Sequence, residues 1–193
     1  LDYLGEVERS RLLVDFNATQ ADYPKDKCIH ELFNAQVLNN PGKTAVVYGQ
    51  HTLSYQELYD RSCDLALYLQ SLGVQPDSLV GLCVERSLET VIGLLGILQA
   101  GGAYVPLDPD YPDERLTYMA RDSQVEVVLT QGRLRDRMAA LGGKEIEVVA
   151  LDQQWPAIHD RCAELAAQGV QLDESVEPQH LAYVIYTSGS TGQ

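Results

Sequence analysis

The sequence has little cysteine and histidine, and what it has is arranged in no metal-binding or disulfide pattern. The four cysteines, Cys28, Cys63, Cys83 and Cys162, are widely spaced and form no CxxC pair. We therefore expect neither a disulfide framework nor a zinc site. The four histidines also fall at no metal-ligand spacing, so we predict no metal ligands in this sequence.

Basic residues are scarce as well. There are 14 Lys and Arg against 28 Asp and Glu, and the formal net charge is −14. A negative field of this size repels phosphate backbones and anionic lipid surfaces, so we expect no nucleic-acid partner and no membrane partner. It does not exclude a small nucleotide, which can bind through backbone amides and a metal ion.

Long apolar runs and a secretory signal pattern are also missing. The longest apolar stretch, residues 91–103, contains Gln99 and is shorter than the ~18 residues that a membrane-spanning helix needs. The chain opens without a basic stretch followed by an apolar run and a cleavage site. We predict a cytoplasmic location.

What is present is the composition of one globular domain. The chain has 193 residues, of which 45% are hydrophobic and 22% charged, and this length suits a single core. Residues 1–26 show no clean hydrophobic period and are interpreted as a linker or a wrapped arm. The remaining residues, 27–193, are predicted to fold.

Within this region, helical and strand patterns alternate. The clearest helix signal is at Ser54, where Glu57 completes a capping box and Gly73 provides the stop. The predicted helices cover residues 28–39, 54–72, 87–99, 113–121, 131–141 and 157–168. The predicted strands cover residues 44–48, 79–84, 103–107, 126–130, 145–151 and 181–186.

Strands separated by helices of this length need crossover connections, and these favour a mostly parallel sheet. The predicted fold class is therefore α/β, with helices flanking the sheet. Ligands of such sheets bind at the carboxyl ends of strands. The last predicted strand runs directly into a loop of hydroxyls and glycines, which places a candidate site at this edge.

That loop has a composition suited to phosphate, because glycine lets backbone amides approach an anion and hydroxyls add further donors. It does not match the Walker pattern, and a flexible tail is the alternative interpretation of such a segment. No balancing cation or helix follows before Gln193, so we expect only part of the site here. The candidate binding residues are Thr187, Ser188, Gly189, Ser190, Thr191 and Gly192.

Three ordered segments carry a resemblance to a known family: residues 53–58 (LSYQEL), 98–109 (LQAGGAYVPLDP) and 181–193 (LAYVIYTSGSTGQ). They resemble the first three core motifs of the amino-acid adenylation domains of nonribosomal peptide synthetases, in the adenylate-forming, AMP-binding superfamily. Residues 81–89 and 108–116 are also similar. Residues 1–26 resemble the connector between a condensation domain and an adenylation domain.

The resemblance implies that residues 27–193 are an incomplete N-terminal part of the adenylate-forming fold, truncated at the phosphate loop. The parent enzyme would activate an amino acid with ATP and Mg²⁺ and load it on the phosphopantetheine of a carrier domain. Condensation and carrier domains would be its neighbours. The catalytic Lys would lie outside the chain, so we expect the fragment itself to be inactive.

Two alternatives stay open at this point: an acyl-CoA ligase-like enzyme, and a non-catalytic docking module on the same scaffold. Some prominent residues are predicted to be structural rather than functional. Gly101, Gly102 and Pro106 are attributed to a helix stop and close packing. Glu85 and Arg86 are predicted to pair with each other at a strand end.

Overall fold

A computed structural model describes residues 3–142 and 146–187 as a three-layer α/β arrangement. The helices are α1 (Glu6–Leu13), α2 (Ile29–Asn39), α3 (Tyr55–Ser71), α4 (Leu88–Gln99), α5 (Asp113–Asp122), α6 (Gly132–Gly142) and α7 (Leu151–Ala167). The strands are β1 (Thr44–Tyr48), β2 (His51–Ser54), β3 (Leu79–Cys83), β4 (Ala103–Pro106), β5 (Val127–Thr130) and β6 (Glu147–Ala150).

The central sheet has four parallel strands in the order β4-β3-β5-β6. Val80 of β3 lies opposite Tyr104 of β4 on one side and Val127 of β5 on the other. The helices between consecutive strands provide the crossovers that parallel pairing requires. The predicted α/β class with a mostly parallel sheet is confirmed.

Each face of the sheet carries its own apolar cluster. On one face, the cluster includes Leu65 of α3, Ile97 of α4, Ile158 of α7 and Leu129 of β5. On the other, Leu116 of α5 and Met138 of α6 pack on neighbouring strand residues. Because successive strand residues point to opposite faces, a strand covered on both sides is buried throughout, as β5 is.

The helix start predicted at Ser54 is confirmed in detail. The Ser54 Oγ accepts the Glu57 N–H at 3.2 Å, and the Glu57 carboxylate accepts the Ser54 N–H at 2.8 Å. These bonds to Ser54 lower the pKa of Glu57. Gly73 has φ 97°, which suits the left-handed residue after a helix. Leu72, in contrast, is 36% exposed and does not belong to the buried face of α3.

The strand predicted at residues 181–186 is wrong. Only an isolated parallel bridge forms, between Tyr183 and Tyr104. It consists of the Tyr104 N–H donating to the Ala182 carbonyl at 3.1 Å and the Val184 N–H donating to the Tyr104 carbonyl at 3.0 Å. Apolar composition favoured a strand, but regular strand structure needs a longer run of ladder hydrogen bonds than this.

Two further features differ from the sequence-based prediction. Helix α7 begins at Leu151, not at residue 157, and includes Pro156. Its start is held by the Gln154 side chain, which accepts the Ala150 N–H at 2.6 Å. Strand β1 also pairs antiparallel with β2, a strand that was not predicted, across a turn at Gly49 with φ 60°.

The amino-terminal segment contains more regular structure than predicted. Helix α1 and a short 3₁₀ helix, Asp15–Asn17, lie in it, yet every residue from 3 to 27 is exposed. This segment therefore adds nothing to the buried core. Among the described residues, no helix is both long enough and apolar enough to cross a membrane.

Candidate functional site

A cleft of about 720 Å³ opens beyond the carboxyl ends of β3 and β4. Its walls are formed by residues 84–86 after β3, residues 106–111 after β4, and residues 185–186 near the end of the described chain. This is the edge at which parallel α/β sheets bind ligands. The cleft thus lies at the kind of sheet edge where the sequence analysis expected a site, and its role in ligand binding stays a prediction.

One wall, residues 107–112, is held by Arg137 of α6. Its guanidinium donates to the carbonyls of Pro109 at 2.6 Å and Tyr111 at 2.8 Å, and to the Asp113 carboxylate at 2.8 Å. Planar guanidinium groups can make several such bonds at once. The wall is therefore fixed from the adjacent helix.

The opposite wall, residues 84–87, is fixed by a side-chain network. The Gln131 side chain accepts the Glu85 N–H at 3.0 Å and donates to the Ser87 Oγ at 3.2 Å. The Thr90 hydroxyl donates to the Glu85 carbonyl at 2.9 Å. These bonds set the direction in which the chain leaves β3.

The expected ion pair between Glu85 and Arg86 is wrong. Glu85 forms its ion pair with Arg133 of α6 instead. Helix α6 brings the Arg133 guanidinium across to Glu85. Among the described residues, Arg86 is the basic side chain that lines the cleft, together with the acidic Glu85, Asp108 and Asp110.

The segment 181–187 begins beside the turn that precedes β3 and ends at the cleft, and contacts at Leu181, Tyr183 and Tyr186 help to hold it. The Leu181 N–H donates to the Asp77 carboxylate at 2.7 Å. Tyr183 bridges to Tyr104, with ring centroids 5.6 Å apart. The Tyr186 hydroxyl donates to the Asp122 carboxylate at 2.6 Å.

Of the predicted phosphate-binding residues, only Thr187 lies within the described part of the chain, and it is exposed. It directly follows Tyr186, which lines the cleft. Ser188, Gly189, Ser190, Thr191 and Gly192 lie outside the described residues. Their assignment as phosphate ligands stays a prediction.

Two titratable groups beside the cleft hold their protons tightly. Burial raises the pKa of the Cys83 thiol to about 11. Burial, followed by the hydrogen bond to Asp122, raises the pKa of Tyr186 to about 12. Both groups are neutral at physiological pH, so neither supplies a nucleophile or a base there. Their contribution is to packing and position.

The acidic side chains of the cleft are not grouped as metal ligands. Over residues 3–142 and 146–187, the structure contains no group of three or more His, Cys, Asp or Glu side chains placed to hold an ion. In the cleft, an Asp108 carboxylate oxygen accepts the Asp110 N–H at 2.9 Å. This carboxylate therefore helps to shape the turn that forms one wall.

The glycines of the 98–109 segment are structural, as predicted. Gly101 has φ 93°, a conformation that side chains rarely adopt. A Cβ on Gly102 would lie 3.1 Å from Val74 Cγ1 and 3.2 Å from the Ser78 carbonyl oxygen. These residues allow α4 to stop and β4 to start in close contact with the preceding turn.

Sequence reasoning missed Arg137 and Asp122, which fix two walls of the cleft. Each acts over a long sequence separation: Arg137 reaches 26 and 28 residues back, and Asp122 bonds to a residue 64 positions later. No local pattern marks such pairs.

Comparison with known proteins identifies the class. The profile of the family described as "AMP-binding enzyme" matches residues 33–193, so the chain belongs to that family. It is 51% identical over 192 residues to a linear gramicidin synthase of Brevibacillus parabrevis, covering 100% of this chain and 4% of that protein. Bacitracin synthase 3 of Bacillus licheniformis is 45% identical over 194 residues, covering 100% of this chain and 3% of that protein.

Solved structures give the same result. The nonribosomal peptide synthetase FmoA3 in its AMPPNP-bound form superposes with a TM-score of 0.78 at 31% identity, over 93% of this chain and 18% of that one. VinN in complex with L-aspartate gives 0.73 at 25% identity, over 86% and 42%. The chain thus spans only a few per cent of the length of its curated relatives, and its similarity is to adenylation domains.

Proposed function

We propose that this chain is the amino-terminal part of an amino-acid adenylation domain in a nonribosomal peptide synthetase. The observation that carries the proposal is the convergence of two fixed loops and the segment ending at Thr187 on one cleft at the carboxyl edge of a parallel sheet. In a family of AMP-binding enzymes, that cleft is the natural place for a nucleotide.

The proposed reaction is activation of an amino acid. A carboxylate oxygen of the amino acid attacks the α-phosphorus of ATP, the bond from that phosphorus to the β-phosphate bridging oxygen breaks, and pyrophosphate leaves. The aminoacyl adenylate is then attacked by a thiol, which forms a thioester and releases AMP. Catalysis of such steps depends on positioning and charge stabilisation.

In this scheme the residues Thr187 to Gly192 bind the phosphates. Amides and hydroxyls would donate to the phosphate oxygens and stabilise the charge that moves onto pyrophosphate. The surrounding Glu85, Asp108 and Asp110 disfavour free polyanions, which is consistent with ATP arriving as its Mg²⁺ complex. The catalytic Lys of the resemblance lies outside these 193 residues, and we propose no catalytic residue within them.

The partners and boundaries are proposed on the same basis. The thiol belongs to the phosphopantetheine of a carrier domain, and a condensation domain precedes the adenylation domain in the cytoplasmic parent enzyme. The exposure of every residue from 3 to 27 supports the assignment of residues 1–26 as the connector between those two domains. Residues 27–193 then belong to the adenylation domain itself.

Amino-acid-dependent exchange of pyrophosphate into ATP tests the proposal. The assay uses the longest natural polypeptide that contains this sequence, with each amino acid in turn. At least one amino acid should drive exchange. Ser190→Ala should raise the KM for ATP roughly tenfold, as expected for loss of a hydrogen bond to a charged group. Ser10→Ala, on exposed α1, is the matched control and should change nothing.

Other outcomes would identify the alternatives. Exchange driven only by fatty or aryl acids would contradict amino-acid activation and favour the acyl-CoA ligase-like enzyme. Absence of exchange with every acid, together with absence of ATP binding in equilibrium dialysis, would favour the non-catalytic docking module.

A further inference from the structure

Tyr186 lies near the end of the described residues and contacts helix α5. Its hydroxyl lies 2.6 Å from the Asp122 carboxylate and 3.4 Å from the Met119 carbonyl oxygen. Its ring makes an edge contact with Tyr118, with the centroids 6.2 Å apart and the planes at 77°. The next residue is Thr187, where the candidate phosphate-binding loop begins.

The hydrogen bond between Tyr186 and Asp122 is of a strong type. An O–H donor and a carboxylate acceptor at 2.6 Å are within the short range that charge-assisted hydrogen bonds occupy. Helix α5 is itself well anchored, because Leu116, Met119 and Ala120 are buried on the sheet. The Asp122 carboxylate is exposed, but it projects from a helix that is anchored on the core.

The placement of Asp122 is unfavourable for the helix alone. It is the last residue of α5, where the negative end of the helix dipole disfavours a carboxylate. The donor hydroxyl of Tyr186 offsets this effect in the folded chain. A negative charge at this position is thus better explained by its tyrosine partner than by helix stability.

We propose that Asp122 and Tyr186 form a positioning pair that sets the direction in which the chain leaves residue 186 and enters the phosphate-binding loop. The inference rests on the proposed function. The other two anchors of the segment, at Leu181 and Tyr183, act several residues earlier. Of these three contacts, the one between Tyr186 and Asp122 lies nearest in sequence to the loop, one residue before Thr187.

The test compares Tyr186→Phe, Asp122→Ala and the double variant in the longest natural polypeptide that contains this sequence. The readouts are the KM for ATP and the maximal rate in pyrophosphate exchange. Each single variant should raise the KM for ATP roughly tenfold, the value expected from losing one charge-assisted hydrogen bond. The double variant should match the single ones, because both remove the same bond. Asp122→Asn, which keeps an acceptor oxygen, should restore part of the loss.

Tyr118→Phe is the matched control. It removes a hydroxyl from the neighbouring ring of the same aromatic pair but keeps the edge contact with Tyr186. Its KM for ATP should equal that of the wild type. The proposed pairing would be overturned if Tyr118→Phe raised the KM for ATP as much as Tyr186→Phe. It would also be overturned if the effects of Tyr186→Phe and Asp122→Ala on this KM were additive.

Hydrogen exchange of the amides of residues 184–187 provides a readout that does not depend on catalysis. Exchange should be faster in Tyr186→Phe and Asp122→Ala than in the wild type, and unchanged in Tyr118→Phe. Unchanged exchange in all three variants would overturn the inference even where the wild type activates no amino acid. If exchange of these amides is faster in Tyr186→Phe and Asp122→Ala but the wild type activates no amino acid, the pairing is supported and the proposed function is contradicted.

Discussion

Strand β5 and the segment 181–187 have similar apolar sequences but different structures. Every residue of β5 is buried, and the strand is paired on both sides, with β3 and with β6. The segment 181–187 makes a single bridge to β4, and Leu181, Tyr183 and Ile185 are 50–56% exposed. Apolar composition alone therefore does not determine whether a stretch becomes a strand.

The difference comes from neighbours and not from propensity. β-branched and aromatic residues fit a pleated surface that is covered, and their preference depends on that covering. At β5, helices pack on both faces and strands pair on both edges. At 181–187, side-chain anchors replace the ladder, and the segment is held at points instead of along its length.

The largest expected effect is the loss of stability upon a core truncation in β5, and it tests whether the two regions are packed differently. Leu129→Ala in β5 removes a fully buried side chain and should lower the free energy of unfolding by ~2–5 kcal/mol. Ile185→Ala, the matched truncation at a 56% exposed residue, should change it by less than about 0.5 kcal/mol. Urea denaturation measures both. Equal losses would show that the two regions are equally packed.

Alkaline pH should sharpen the comparison, because Cys83, on the strand that pairs with β5, and Tyr186, in the segment 181–187, lose their protons at different pH values. Burial raises the pKa of Cys83 from 9.0 to about 11. Above pH 9 the unfolded thiol loses its proton while the folded one keeps it, so stability is present below pH 9 and falls as the pH rises to 11. The corresponding loss for Tyr186, raised from a pKa of 10.0 to about 12, begins only near pH 10.

Unfolding free energies measured between pH 8 and pH 11 test this difference. The free energy of unfolding of the wild type should fall over this interval. In Cys83→Ala that fall should be smaller by on the order of 2 kcal/mol. Cys162→Ala provides a second thiol whose pKa is raised to about 11, and it should remove a similar share. A wild-type slope that persists unchanged in both variants would assign the alkaline loss to other groups.

The smallest expected effect is weak self-association through the exposed side of 181–187. Leu181, Tyr183 and Ile185 form an apolar strip along a stretch of backbone with few ladder bonds, and such edges favour pairing with another chain. Light scattering of the 193-residue chain at high concentration should detect association, and Ile185→Lys should weaken it. Leu38→Lys, at an 85% exposed residue of α2, is the control. A monomer at every concentration would contradict the prediction.

Much of the fold could be predicted because its signals are local. Ser54, Glu57 and Gly73 mark both ends of α3 within a few residues of sequence. The continuous apolar run of β3 predicts a strand covered on both faces, and the structure confirms it. Alternation of strands with helices was enough to predict the mostly parallel sheet.

The rest depends on contacts between residues that are far apart in sequence. The role of Arg137 requires the turn at 109–111, and that of Asp122 requires Tyr186. The early start of α7 depends on the Gln154 side chain, whose acceptor role is not a standard capping signal. The assignment of Thr187 to Gly192 as phosphate ligands stays a prediction from composition and resemblance.

The three hydrogen bonds of Arg137 to the 109–113 stretch have a consequence for how tightly the cleft can hold a ligand. Loops that order only upon binding lose conformational entropy, and this loss is subtracted from the affinity. Here the backbone carbonyls at 109 and 111 are already engaged by α6 before any ligand arrives. That wall is preorganised, so a contact made to it does not carry the entropic cost of ordering a loop.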